Sequence, residues 1–439
     1  MKYIKYIFIA VFFTSSISAQ EVDLLTKKEA IMQTLEENFG ITIASNDLEI
    51  AENNKSLLNS EFLPSLTGNA GANYNIEDQK VTFQDGRINE ISGAETTRLN
   101  ASLDLAYTLF DGMGRWYDYK RLKEEYNLTE LQVRETIETT LLQLFTVYFE
   151  VARISENVMV LEETFQNTKD RLIRAEYGFE YGQSNKLEVL NAEVDIIADS
   201  INLMDSRQLL ANTKRDLNVV LNSDLERRFE VDTLISFTEP LVLDSFLTDA
   251  EKNNVRLLQA ERSIMISDYS YKASKAVYLP SIGLTGSYGW NEGDFPVTSF
   301  ASQSITDGFG AGVSLRWSLF DGGRGITTVK NAKIQTENEA VFKNQVINEV
   351  RRDIANASGN YENRLSVYEL LSKNVETTGA NFERSNERYK LGQITSVELR
   401  QAQINLLNAR ITKSSAKYQA KLAELELLQL TGQLLNITI

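Results

Sequence analysis

Two stretches of this chain alternate between apolar and polar positions for eleven residues each. In the first, Leu99, Ala101, Leu103, Leu105, Tyr107 and Leu109 interleave with Asn100, Ser102, Asp104, Ala106 and Thr108. In the second, Phe309, Ala311, Val313, Leu315, Trp317 and Leu319 interleave with Gly310, Gly312, Ser314, Arg316 and Ser318. This is the period-two pattern of a strand with one oily and one polar face. Both stretches run into the same residues, LFDG, and Phe110 and Phe320 stand 210 positions apart. That offset is far longer than a solenoid unit of roughly 20 to 50 residues, so it marks a duplication into two structural halves. Each half has an earlier alternating run, 66–76 after Pro64 and 282–290 after Pro280, which predicts a partner strand. The polar segments 77–96, with Asp85-Gly86, and 292–308, with Pro296, predict the joining loops. The two hairpins are expected over 65–109 and 281–319.

Elsewhere the period is helical. Ala30, Leu35, Ile41, Leu48 and Leu57 predict one helix from Thr26 to about Phe62. From about Arg115 to Tyr177 there is neither proline nor glycine, and at ~1.5 Å per residue such a helix spans roughly 95 Å. Its residues Ile137, Leu141, Leu144, Tyr148, Val151, Ile154, Val158, Leu161, Phe165 and Leu172 follow three-four spacing with one stammer and one polar gap. A coiled-coil seam of that length has to lie on other long helices. Gly178 and Gly182 are expected to break it, and a return helix follows to about residue 220. The first and return helices together match the long one, which predicts two helices stacked end to end beside it. Residues 223–245 read as a linker with a short strand between halves 20–222 and 246–439. The second half repeats the order: a helix to about Val277, the hairpin, a long helix from about Gly325, a break at Gly392, and a return helix to about Gln429. The fold class is mixed α and β, mainly long helices, internally duplicated, with four strands per chain.

Strands of about ten residues with an oily face and aromatic residues are the pattern of an outer-membrane barrel. A soluble sandwich would need a second apolar layer, and the opposite face is small or polar throughout. Tyr74, Tyr107, Tyr288, Trp290 and Trp317 suit interfacial girdles. Four strands cannot close a barrel, and an open edge in lipid leaves backbone amides without partners. Several chains must therefore share one barrel, eight strands from two copies or twelve from three. On the strand pattern, Asp104 and Arg316 face the pore.

Composition narrows the chemistry. With no histidine and no cysteine, imidazole bases, thiol nucleophiles, disulfides, cysteine lipidation and the common zinc sites are excluded. Residues 1–19 carry Lys2 and Lys5, an apolar run from Tyr6 to Phe13 and the ending TSSISA, which predicts a secretory signal peptide. Its removal takes the formal charge from −16 to −18, which argues against a nucleic-acid partner. Gly112-Met113-Gly114 imitates the start of a dinucleotide fingerprint, but Tyr117 stands where the third glycine belongs and no short crossover follows. No catalytic, cofactor-binding or metal residue is expected.

Across essentially all of the mature sequence the chain resembles the outer-membrane efflux channels of the TolC family. The resemblance rests on the duplication, on FLPSLTGNAGAN and YLPSIGLTGSYG, on the two LFDG turns, and on YGQSNKLEVLNAEVDI and LGQITSVELRQAQINL. It implies a homotrimer whose twelve strands form one transmembrane barrel, continued by a helical barrel through the periplasm of a Gram-negative bacterium. It also implies a periplasmic adaptor docking at the turns Gly182, Gln183, Ser184 and Gly392, Gln393, Ile394, and an inner-membrane pump. By the same resemblance Glu188 and Glu398 ring a periplasmic gate, with Gln401 standing where relatives can carry a second acid. The function implied is a passive exit duct for efflux or type I secretion, with no catalysis. The alternative of another class is a secreted coiled-coil structural or adhesion protein.

Overall fold

The computed structural model describes residues 23–436; the leader expected at 1–19 lies outside them. The described chain runs β1 (Asp23–Leu25), α1 (Lys27–Glu37), α2 (Phe39–Asn54), β2 (Ser65–Thr82), β3 (Ile88–Phe110), α3 (Gly114–Glu180) and α4 (Lys186–Val220). It continues through β4 (Phe229–Val231), α5 (Pro240–Asn253), α6 (Val255–Ser274), β5 (Ser281–Asp294), β6 (Gln303–Arg316), α7 (Arg324–Lys390) and α8 (Ser396–Leu430).

The single helix expected from 26 to 62 is two. Asn38 leaves helical geometry at φ −70° and ψ 126°, its N–H closes α1 on the Thr34 carbonyl, and its side chain accepts from the Gly40 and Ile41 amides to open α2. One asparagine ends a helix and caps the next. Asn254 does the same between α5 and α6, accepting from the Leu257 amide. The segment expected as linker therefore already contains the start of α5. Its short strand, β4, pairs in parallel with β1, a partner the sequence pattern did not reveal.

The sheet is antiparallel in the order β2-β3-β5-β6. Its register puts Leu66, Leu105, Gly286 and Ala311 in one row and Gly68, Leu103, Tyr288 and Phe309 in another. Thr67, Asp104, Ser287 and Gly310 form the row between. One face is thus oily across all four strands and the other polar or bare. Neither is covered: β6 is exposed along its whole length.

The strands outrun the expected loops. Residues 77–82 and 88–96 are paired except at a bulge of Asp78 opposite Ser92 and Gly93, with the turn confined to 83–87 and Gly86 at φ +84°. Polar pairs such as Lys80–Glu90 at 2.8 Å hold this part, and backbone pairing needs no oily residue there. β6 stops at Arg316, not 319, because Arg316 is opposite Ser281, where β5 begins. Trp317 instead donates from Nε1 to the Tyr278 carbonyl at 3.2 Å.

Each strand continues into a helix, so the helices keep the order of the sheet. α2 and α4 stack end to end on α3, α6 and α8 pack on both α3 and α7, and α7 lies at the far margin. α3 and α7 each have 67 residues, about 100 Å of helix. Leu141, Leu144, Tyr148 and Val151 are buried where the seam was expected, against Leu217, Leu221, Leu425 and Leu428. At this waist Tyr148 Oη donates to the Leu25 carbonyl and accepts from the Asp232 amide, tying β1 to the chain after β4. The strand-to-helix turns account for the glycine-rich motif: the Asp111 carboxylate accepts from the Arg115 amide, and Asp321 from those of Gly323 and Gly325. At both turns a carboxylate of the chain itself accepts from the amides that open the helix.

Candidate functional site

The two helix-to-helix turns lie at one end of the molecule, since α3 and α7 leave the same sheet and have equal length. Gly182 at φ +71° and Gly392 at φ +69° end them in the left-handed region, where an L side chain is strained. An added Cβ would meet nothing at either glycine, so the backbone angle and not space demands glycine. Gly178, expected as a break, lies inside α3. Its carbonyl accepts from the Gln183 and Ser184 amides, and a Cβ there would come within 2.9 Å of Ser184 Oγ. Around the turns Tyr181, Leu187, Leu391 and Val397 are more than 60 % exposed, an apolar rim on an otherwise polar tip.

The two acids past the turns differ. Glu398 closes a capping box: its carboxylate accepts from the Thr395 amide at 2.7 Å and hydroxyl at 2.9 Å, while its own amide donates to Thr395 Oγ1. The Thr395 amide, then its hydroxyl, holds the Glu398 carboxyl below the usual glutamate range. Glu188 has only its amide engaged, by Asn185 Oδ1 at 3.0 Å, and its carboxylate makes no hydrogen bond among the described residues. Gln401 is exposed and donates to Asn405 at 2.9 Å. In the sheet, Asp104 accepts from Asn69 at 2.8 Å and Ser102 at 2.7 Å on the polar face that Arg316 shares.

A polar cluster behind the tip was missed by the sequence reading. Arg400 on α8 grips both oxygens of Asp199 on α4 at 2.7 Å, and Thr168 on α3 donates to the same carboxylate at 2.6 Å. Gln403 donates to Thr168 Oγ1 and to the Thr164 carbonyl, each at 3.0 Å, and Arg171 pairs with Asp195 and reaches the Ser396 carbonyl. Three helices from both halves are bolted together by groups that are nearly all buried. The signal was present: Thr168, Asp199 and Gln403 occupy seam positions of their helices, where a polar residue fixes register. A cleft of about 300 Å³ adjoins the bolt, lined by Asp170, Arg171, Arg174, Tyr389 and Lys390.

Comparison with known proteins bears on the whole arrangement. A family described as outer membrane efflux protein matches residues 30–223 and 246–433. The outer membrane protein TolC of Vibrio cholerae is 22% identical over 386 residues, covering 85% of this chain and 83% of its own. The outer membrane efflux protein BepC of Brucella suis is 20% identical over 407 residues, covering 92% and 85%. The Campylobacter jejuni CmeC outer membrane channel superposes with a TM-score of 0.74 at 16% identity, over 93% of this chain and 86% of its own.

Proposed function

This chain belongs to the outer membrane efflux protein family, and from that premise we propose that three copies close into one duct that receives its cargo from an adaptor and an inner-membrane pump. As an outer-membrane exit duct it has strands in the membrane and helices in the periplasm. Members of the family are channels, not enzymes. The observation that carries closure with further copies is a pair of open margins, and the family resemblance supplies the number three. β2 and β6 have no partner on their outer sides among the described residues, and in lipid such edges must pair.

The helices also call for neighbouring copies. Val189, Ala192, Asp199 and Leu203 turn α4 toward α3, while Leu187, Leu190, Val194, Ile197, Ile201 and Met204 form a second stripe, all exposed. The second stripe is set back by two positions, which at about 103° per residue leaves about 154° between the seams. Neighbours in a closed ring of about twelve coiled helices subtend about 150°, and in one of sixteen about 158°. Four helical columns per chain, α2 with α4, α3, α6 with α8, and α7, make twelve from three copies, the number the family resemblance implies.

The turns around Gly182 and Gly392, with Gln183, Ser184, Gln393 and Ile394, are the adaptor's contact, supported by their exposed apolar rim. Glu188 and Glu398 would bring six carboxylates around the axis and favour cations at the mouth, with Gln401 contributing no charge. Cross-linking in cells, followed by gel migration with and without heating, tests the trimer; a monomer extracted without detergent would overturn it. Gly182→Val with Gly392→Val should abolish export while leaving trimers in the membrane, and unchanged export would remove the docking assignment. Glu188→Gln with Glu398→Gln should weaken cation selectivity in planar bilayers; an unaltered reversal potential would remove the gate.

A further inference from the structure

Directly below the sheet, a belt of aromatic rings and ammonium groups crosses three helices. Phe62, after α2, meets the edge of Tyr119 on α3 with ring centres 6.2 Å apart, and Tyr119 lies 6.2 Å from Trp116. Lys120 Nζ sits 5.2 Å from the centre of the Trp116 ring and 5.8 Å from that of Tyr269 on α6. Lys123 stands 4.4 Å over Tyr119, Lys272 5.2 Å over Tyr269 and Lys275 4.1 Å over Tyr271. The start of α7 extends the belt with Arg324, Lys330 and Lys333 and no acid over 324–333.

Chain connectivity fixes its height. β3 ends at Phe110 and α3 begins at Gly114, and α6 ends at Ser274 shortly before β5 opens at Ser281. Trp116 to Lys123 therefore lie within roughly 15 Å of the strand end. The charges are unusual for so acidic a chain. Lys272 also pairs with Asp268 at 2.6 Å, but Lys120, Lys123 and Lys275 have no carboxylate partner among the described residues and are placed by ring faces. An ammonium seated on a ring is positioned yet keeps N–H donors free. Tyrosine and tryptophan favour the headgroup level of a membrane, and lysines beside it attract anionic lipids.

We propose that this belt binds anionic phospholipid headgroups of the leaflet next to the helices, with Trp116 and Tyr119 at headgroup level and Lys120, Lys123 and Lys275 donating to lipid phosphates. It rests on the reading of the sheet as membrane-spanning, and the test separates the two. The chain has three tryptophans, Trp116, Trp290 and Trp317, so two variants isolate the informative ones. Trp290→Phe with Trp317→Phe leaves Trp116 in the belt; Trp116→Phe with Trp317→Phe leaves Trp290 on the oily rows of β5. Each is reconstituted in vesicles of equal parts phosphatidylcholine and phosphatidylglycerol in which one or the other lipid is brominated, and fluorescence quenching is read.

Trp290 should be quenched equally by both lipids, and Trp116 more strongly by the anionic one. That preference should fall about five-fold for each ammonium removed in Lys120→Gln, Lys123→Gln and Lys275→Gln, made singly and together. Equal quenching of Trp116 by both lipids, or quenching by aqueous acrylamide alone, would overturn the proposal, the latter by placing the belt on the lumen. Competition by inorganic phosphate would assign it to a free anion instead of a lipid surface. An unquenched Trp290 would remove the membrane reading itself.

Discussion

Near the tip, the helix seams shut inside the chain and those left open at its margins are built from different chemistry. The inner seam of α3, α4 and α8 closes on Arg400, Asp199, Thr168 and Gln403, with each charge met by an opposite one. The open seam of α4 is purely aliphatic from Leu187 to Met204, whereas the outward stripe of α7 reads Val367, Leu370, Asn374, Thr377, Asn381, Arg384 and Arg388. Along α7 the apolar members of that stripe, Val367 and Leu370, lie on the waist side and the polar ones toward the tip. The contrast teaches that at the tip the chain is fastened to itself by matched polar groups, while its margins present apolar surface on α4 and polar surface on α7.

Breaking the inner seam should have the largest effect. Asp199→Ala leaves the guanidinium of Arg400 without its partner in a site where Asp199 is 3% and Arg400 14% exposed, and should cost about 3 to 5 kcal/mol in denaturant unfolding. Asp199→Leu with Arg400→Met should recover most of that loss, because an apolar pair removes both charges at once. A double variant as unstable as the single one would show that the bolt is not the source.

The membrane face comes next. Leu105→Arg on the oily rows should cost roughly 2 to 4 kcal/mol of membrane assembly, and Ser314→Arg on the polar rows far less. Equal losses would reverse the assignment of faces. For the open seam, Ile197 is 60% exposed in the single chain; its burial against a neighbouring copy would contribute roughly 1.5 to 3 kcal/mol. Ile197→Lys should therefore lower the trimer's heat resistance on gels while each chain keeps its helicity. An unaffected trimer would place that stripe outside the contact between copies.

The smallest effect sharpens the difference between the two tips. Because the Glu398 carboxyl is held below the ordinary glutamate range, its contribution is fully present above that range and is lost as pH falls through the lowered value. Glu398→Gln should flatten the acid limb of a stability profile, and an unchanged limb would show that the capping box is not its source. A titration of the Glu398 carboxyl by NMR in labelled protein reads its lowered value directly.

Much of this molecule follows from local pattern alone. The duplication, the oily rows of Leu103, Leu105, Val313 and Leu315, the lengths of the long helices and the glycines at their turns are fixed by periodicity and backbone sterics, which neighbouring residues suffice to express. The acids at 188 and 398 were legible as residues past a turn, but not that Thr395 draws one of them into a cap while Asn185 leaves the other carboxylate free. What tertiary structure decided depends on partners distant in sequence. Residues 77–82 and 88–96 look like loop until they pair, β6 ends where β5 begins, and β1 exists because β4 lies beside it. The bolt joins Thr168, Asp199 and Arg400 from three helices, and a lone polar residue on a seam does not reveal which opposite charge will meet it. Period and backbone angle are properties of a segment, whereas the pairing of buried charges is a property of the assembled core.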